Sequence, residues 1–154
     1  MGLDKIIIYC DGGCRGNQSD NNIGGWGAHL QYRDHKKELY GGVRDTTNNK
    51  MELTACIKAL EAVHGNKSIP IEIYCDSAYV VNGMNSWVRG WIKNGWVNSK
   101  KKPVENQDLW KKLLFLSSTH ENVKFIKVKG HADDEGNIRA DELANLAMDN
   151  ETGN

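Results

Sequence analysis

Four carboxylates, Asp11, Glu52, Asp76 and Asp141, fall where apolar runs end or helical patterns begin. Asp11 closes KIIIYCD just before a Gly-Gly pair, and Asp76 closes IEIYC just before helical material that starts at Ser77. If those two runs are parallel neighbouring strands, both acids emerge at the carboxyl edge of a sheet, where open α/β sheets place their sites. Glu52 reads as a first-turn residue of one helix, and Asp141 as a residue near the start of the last. Converging carboxylates repel one another unless a cation lies among them, and hard oxygen ligands suit magnesium or manganese. Two such ions about 4 Å apart can activate water and stabilise the leaving oxygen of a phosphodiester. Each acid also has a plain structural use. Asp11-Gly12 can open a turn, Asn49-x-x-Glu52 fits a capping box, Asp76 can cap a helix, and Asp141 suits a helix N-terminus. Taken alone, the acids leave both readings open.

The elements that must position them can be read from pattern. Lys5–Asp11 is β-branched and apolar and predicts a buried strand. Trp26–Arg33 and Lys36–Val43 predict two more, joined by a polar turn at Asp34-His35, which together make an antiparallel meander. Leu53, Cys56, Ile57, Leu60 and Val63 share one face of a helix over 49–63. Ile71–Cys75 predicts a strand and is followed by helix. A Gly-, Asn- and Lys-rich stretch over 90–106 interrupts it. Asp108–Leu116 resumes as helix, Val123–Lys129 is a strand, and Ile138–Met148 a last helix. Helices and strands alternating after a meander predict an α/β domain on a mixed sheet.

The chain has 154 residues, close to the roughly 150 of one domain. Twenty basic and twenty acidic residues give a formal charge of zero, which excludes a uniformly basic nucleic-acid coat. The balance is uneven, however. The stretch 86–112 holds seven basic residues against Glu105 and Asp108, whereas 131–154 sets Arg139 alone against seven acids. No apolar run approaches the roughly 18 residues needed to span a bilayer, and the N-terminus lacks a signal peptide's apolar region. Cys10, Cys14, Cys56 and Cys75 show no paired C-x-x-C spacing. Three of them stand in apolar settings as small buried hydrophobes, which fits a reducing, cytoplasmic compartment.

The words around the acids are more specific than the acids. YCDGGCRGN, TTNNKMELTACIKALE, IYCDSAYVVNG, WVRGWIKNGW and VKGHADDEGNIRADELA occur in that order over nearly the whole length. With them the chain resembles the type 1 ribonucleases H, which hydrolyse the RNA strand of RNA–DNA hybrids. The resemblance implies a ribonuclease H-like fold, a five-stranded mixed sheet (antiparallel meander plus parallel strands) flanked by helices. It implies one catalytic domain over 1–150 with a polar tail over 151–154. It also implies that Asp11, Glu52, Asp76 and Asp141 bind two Mg²⁺ ions, with Mn²⁺ as a substitute, and that Asp11 bridges both. Cleavage would leave a 5′-phosphate and a 3′-hydroxyl. His131, ten residues before Asp141, is the implied assistant in proton transfer or phosphate release, and imidazole titrates in a suitable range.

The same resemblance places the hybrid. The 2′-hydroxyl, a donor and an acceptor, separates ribose from deoxyribose. Backbone groups from Gly12 to Cys14 and the amides of Asn17, Asn48 and Asn49 match positions facing the minor groove, where amides need no base preference. Trp87 and Trp91, four apart on a helix, match the wall of a deoxyribose channel, while Trp26, Trp96 and Trp110 read as core. Lys100, Lys101 and Lys102 would contact DNA phosphates without regard to sequence. Thr47, Ser99 and Asn106 match polar positions around a DNA phosphate.

There are departures. Asp45 stands where an arginine often serves that phosphate pocket, so the pocket is expected to be weaker or rebuilt around Arg44. QSDNNI, over 18–23, lengthens the first hairpin, and Asp133 and Asp134 add charge beside His131. Two rival readings are a hybrid-binding module without chemistry and a domain cut from a larger polymerase polyprotein. No dimer signal is visible, and a monomer is expected.

Overall fold

The computed structural model describes residues 4–16, 22–128 and 135–152. Five strands form one sheet in the order β3-β2-β1-β4-β5. They are β1 (Ile6–Arg15), β2 (Ile23–Tyr32), β3 (His35–Arg44), β4 (Ile71–Cys75) and β5 (Val123–Lys127). The first three run antiparallel as a meander, and β4 and β5 join parallel to β1. The helices are α1 (Asn48–Glu61), α2 (Ala78–Asn82), α3 (Val88–Lys93), α4 (Gln107–Ser118) and α5 (Glu135–Thr152), with a π-helical turn over Gly83–Trp87 between α2 and α3. This is the mixed α/β architecture that the sequence predicts.

Alternation along the central strands sets the two faces. Ile8, Cys10, Ile71, Ile73 and Cys75 are buried under α1, whose Leu53, Ala55, Cys56, Ala59 and Leu60 complete that core. On the other face Tyr9 stacks on Tyr74 at 5.2 Å, and α5 lies against β2 and β3. Ala140, Leu143, Ala144, Ala147 and Met148 are the buried stripe of α5.

Several boundaries differ from the expected ones in ways that matter for the site. β1 does not end at Asp11. It runs on through Gly12 and Gly13 to Arg15, paired with β2 all the way, so the Gly-Gly pair is strand rather than turn. Glycine is needed there because α1 crosses so closely: a Cβ on Gly12 would lie 2.5 Å from the Met51 carbonyl carbon and 2.7 Å from Glu52 N. α3 continues to Lys93, past Gly90, where the sequence predicts a break. α5 starts at Glu135 and runs through Glu151 and Thr152, residues expected in a polar tail. No described helix is long and apolar enough to cross a membrane.

Candidate active site

The position of Asp11 follows from register. Cys10 pairs with Cys75, the last residue of β4, while Asp11 pairs with Gly27 on the other side. Asp11 therefore stands at the first position of β1 where β4 has stopped. Asp76 leaves the end of β4 itself. Ser77, not Asp76, caps α2, its hydroxyl accepting from Val80 N at 3.3 Å. Glu52 is likewise released from the capping role that its spacing allows. Thr47 is the N-cap of α1 and accepts from Lys50 N at 3.1 Å, so Glu52 sits in the second turn with its side chain free for the strand end.

The three carboxylates meet there, each offering an oxygen within 4.8 Å of the others. Asp141 comes from α5. A Cβ on Gly27, the strand partner of Asp11, would lie 2.5 Å from Ala140 O and 2.8 Å from Ala144 N. The bare backbone at Gly27 thus lets α5 rest on β2, and the Asp141 carboxyl comes beside that of Asp11. Asp141 lies a turn and a half into its helix and is exposed, whereas Asp11 is buried.

The electrostatics are those of a site short of positive charge. Burial pushes the Asp11 carboxyl up to about 8, and Asp141 and Asp76 beside it push the same way. Burial, with Asp11 and Asp76, pushes Glu52 up to about 9. The Gly12 N–H donates to Asp11 Oδ1 at 2.9 Å and favours its charged form. Glu52 Oε1 is buried with no hydrogen-bond partner among the described residues. A buried acceptor of that kind costs about 1–3 kcal/mol unless something fills it. An all-oxygen set of this kind, with an orphaned lone pair and two carboxyls held far above their ordinary range, fits a hard divalent cation. Cys10, Cys56 and Cys75 lie directly beneath it, preceding Asp11, one turn after Glu52 and preceding Asp76. They are free and fully buried thiols. Cys56 and Cys75 Sγ are 3.5 Å apart. Burial holds the Cys10 thiol well above the ordinary range, which makes it inert.

A trough of about 240 Å³ leads away from the carboxylates, lined by Asp11, Gly12, Gly13, Cys14, Arg15, Asn48, Asp141 and Asn145 among others. Gly12, Cys14 and Asn48, expected to face the minor groove, are brought to it. Asn49 is exposed on the same helix start. Arg15 and Asn145 are additions. Arg15 Nη2 donates to Asn145 Oδ1 at 2.9 Å, and Nη1 to Asp149 Oδ1 at 2.6 Å. Extending β1 past its glycines would have revealed Arg15. Asn145 carries a weaker signal, standing one turn after Asp141. Asn17, His131, Asp133 and Asp134 lie outside the described residues.

The basic segment is an aromatic cluster with one buried root. Trp110 is fully buried, and its Nε1 donates to Tyr79 OH at 3.1 Å. Trp91 packs edge-on against Trp110 at 5.2 Å, and Trp87 and Trp96 flank Trp91 at 6.0 and 5.9 Å. Trp87 stays 40% exposed, while Trp96 is half-buried rather than core. Ser99, Lys100, Lys101 and Lys102 form an exposed turn, with Lys101 at φ 62. Asn98 Oδ1 accepts the N–H groups of Lys100 and Lys102 at 2.9 and 3.1 Å. Between the starts of α1 and α4 lies a cleft of about 500 Å³ lined by Lys50, Asn106, Gln107, Asp108 and Leu109. Arg44 does not line this cleft. Its Nη2 donates to Glu151 O at 2.9 Å, at the end of α5, and the cation at the cleft is Lys50.

The family model described as RNase H matches residues 4–149. The chain belongs to the ribonuclease H family. A ribonuclease H of Ruthia magnifica subsp. Calyptogena magnifica is 54% identical over 147 residues, spanning 96% of this chain and 97% of the relative. One of Clostridium botulinum (strain Hall) is 52% identical over 148 residues, with 96% and 97% covered. Among solved structures, a type 1 RNase H with the type 2 active-site motif superposes with a TM-score of 0.84 at 29% identity, covering 97% of this chain and 74% of that one. An RNase H in complex with an RNA/DNA hybrid superposes with a TM-score of 0.73 at 29% identity, covering 96% and 99%. The ribonuclease H chain is thus an endoribonuclease, and the reading as a binding module without chemistry is set aside.

Proposed function

We propose that the chain hydrolyses the RNA strand of RNA–DNA hybrids by a two-metal-ion reaction that leaves a 5′-phosphate and a 3′-hydroxyl. The observation that carries this is the meeting of Asp11, Glu52 and Asp76 within 4.8 Å at the strand end, with Glu52 Oε1 buried and partnerless. Asp11, Glu52, Asp76 and Asp141 would hold Mg²⁺, with Mn²⁺ as a substitute. When bound, the ions supply activation of the attacking water and stabilisation of the leaving oxygen. The rest belongs to the chain. Asp11 interacts with both Asp76 and Asp141, and would help to hold both ions. The Gly12 N–H keeps its Oδ1 oriented. His131 is assigned proton transfer or phosphate release.

Substrate choice rests on two surfaces, the trough beside Asp11 and the tryptophan-bearing segment. Gly12–Cys14, Asn17, Asn48 and Asn49 read ribose 2′-hydroxyls through amides that serve every base alike. Trp87 and Trp91, their rings inclined to each other by 52°, would offer deoxyribose an apolar wall, with Thr47, Ser99, Lys100, Lys101, Lys102 and Asn106 assigned to the DNA phosphates. Lys50 supplies the cation for that phosphate in place of the arginine absent at 45. The chain acts as a cytoplasmic monomer. The test is cleavage of one labelled RNA strand paired with DNA, paired with RNA, or single, beside a labelled DNA duplex, each with Mg²⁺, Mn²⁺ or EDTA. Cutting confined to the hybrid and abolished by EDTA is expected. Binding of the hybrid without cutting under either ion would overturn it.

A further inference from the structure

The extra length in the first hairpin ends in a residue with a specific task. Asn22, immediately before β2, makes three hydrogen bonds to the corner between β3 and α1. Its carbonyl accepts from Asp45 N at 2.9 Å, its Oδ1 accepts from Thr46 N at 2.9 Å, and its Nδ2 donates to Thr46 O at 2.8 Å. The side-chain amide thus pairs with both backbone groups of one residue, Thr46, as a neighbouring strand would. The corner needs such a fastening. Asp45 is a non-glycine residue at φ 55, in the left-handed region, and such positions persist only where surroundings over-determine them.

What hangs from that corner is the start of α1. Thr46 is buried, Thr47 caps the helix through Lys50 N, and Asn48 follows directly. Asn48 Oδ1 stands over the floor of the trough, 3.8 Å from where a Cβ of Gly13 would be. Shifting the corner moves Asn48 and Asn49, the first two residues of α1, against Gly13, while Asp11, Asp76 and Asp141 stay on their own elements and Glu52, a turn further along α1, stays where the helix backbone bears on Gly12. We propose that Asn22 is a positioning residue for hybrid recognition: it locks the 45–46 corner and so sets where the α1 amides stand over the Gly12–Gly13 floor. This rests on the substrate reading above.

Asn22→Ala in the full chain tests it. The KM for the hybrid is expected to rise about tenfold, the scale of a small lost hydrogen-bond network. The kcat at saturating hybrid and the Mg²⁺ dependence should stay within about twofold, since Asp11, Asp76 and Asp141 lie on other elements and Glu52, although on α1, is seated by the contact of the Met51–Glu52 backbone with Gly12. Amide exchange at Asp45 and Thr46 should accelerate in the same variant without hybrid present. Asn22→Asp keeps the acceptor for Thr46 N–H and loses the donor to Thr46 O, so its KM should fall between the two. An unchanged KM, a loss confined to kcat, or a raised KM with unchanged exchange at 45 and 46 each overturns the assignment. If the wild-type chain does not cut the hybrid, the substrate reading fails, and the exchange comparison still decides whether Asn22 holds the corner.

Discussion

The carboxylate site and the tryptophan-bearing segment are built by opposite means. At the carboxylates, backbone meets backbone: α1 lies on Gly12, and α5 lies on Gly27 through Ala140 O and Ala144 N. In the segment over 87–102, side chains meet side chains, and among the tryptophan rings packed together there only that of Trp110, reaching in from α4, is fully buried. The first arrangement fixes acids against their own repulsion. The second offers an apolar wall that adjusts by rotating rings. The difference matches two needs, since a reacting phosphate must be placed closely, whereas sequence-independent grip on a duplex tolerates variation along the strand.

The largest effect should come from Asp11→Asn, with cleavage of a labelled hybrid falling about 10³-fold or more. Its fold should survive and strengthen. Asp11 and Glu52 have their acid forms favoured on folding, so the stability they contribute is complete below about pH 4 and is lost as pH rises toward about 8 and 9. Urea melts in EDTA should therefore show the wild-type chain weakening between pH 5 and 9. Asp11→Asn should weaken less and be more stable at pH 8 by about 1–3 kcal/mol. Mg²⁺ should reverse the wild-type loss and leave the variant nearly unmoved. A wild-type chain whose EDTA melts are flat over that range would break the contrast at its root.

Next in size is Gly27→Ala, whose Cβ meets Ala140 O and the Leu143 side chain. Overpacking costs typically about 1–3 kcal/mol, and a lifted α5 should cost kcat about 10–100-fold by misplacing Asp141. Retention of full kcat would show that α5 is not seated by that contact.

The tryptophans should separate by depth. Trp110→Ala is expected to lose about 3–5 kcal/mol in denaturant melts. Trp87→Ala should change stability by less than about 1 kcal/mol and raise KM for the hybrid several-fold with kcat intact. Equal stability losses would mean that the cluster is core throughout. The smallest effect belongs to Lys100, Lys101 and Lys102. Replacing all three by Ala should lower the slope of log KM against log salt by about 2–3, with KM raised most at low salt, and leave kcat at saturating hybrid nearly unchanged.

Legibility followed the same division. β-branched and apolar alternation made β1, β4 and the buried face of α1 readable, because burial imposes those residue types. The glycines misled. Gly12 and Gly13 have no side chain to show a period of two, so a strand held open for a crossing helix looks like a turn. Asn49-x-x-Glu52 suggested a cap because TTNN offers four cap-competent residues in a row, and only packing selects Thr47. Gly90 looked like a break, yet Trp91 packing on Trp110 outweighs the roughly 1 kcal/mol that glycine costs a helix. The meeting of Asp11 and Asp76 was legible from the two strand ends, whereas Glu52 joins them from α1. Nothing local in the sequence marks Asn22, whose partners lie 23 and 24 residues away.

The buried sulfurs give the scaffold its own clock. Cys10, Cys56 and Cys75 belong to β1, α1 and β4, the elements that carry Asp11, Glu52 and Asp76, while Cys14 is half-buried beside the trough. A thiol-alkylating reagent should modify Cys14 first and reach the other three only when those elements part. Their labelling rate therefore counts how often the platform beneath the acids opens, and a bound cation that ties the acids together should slow that count while Cys14 serves as the internal reference.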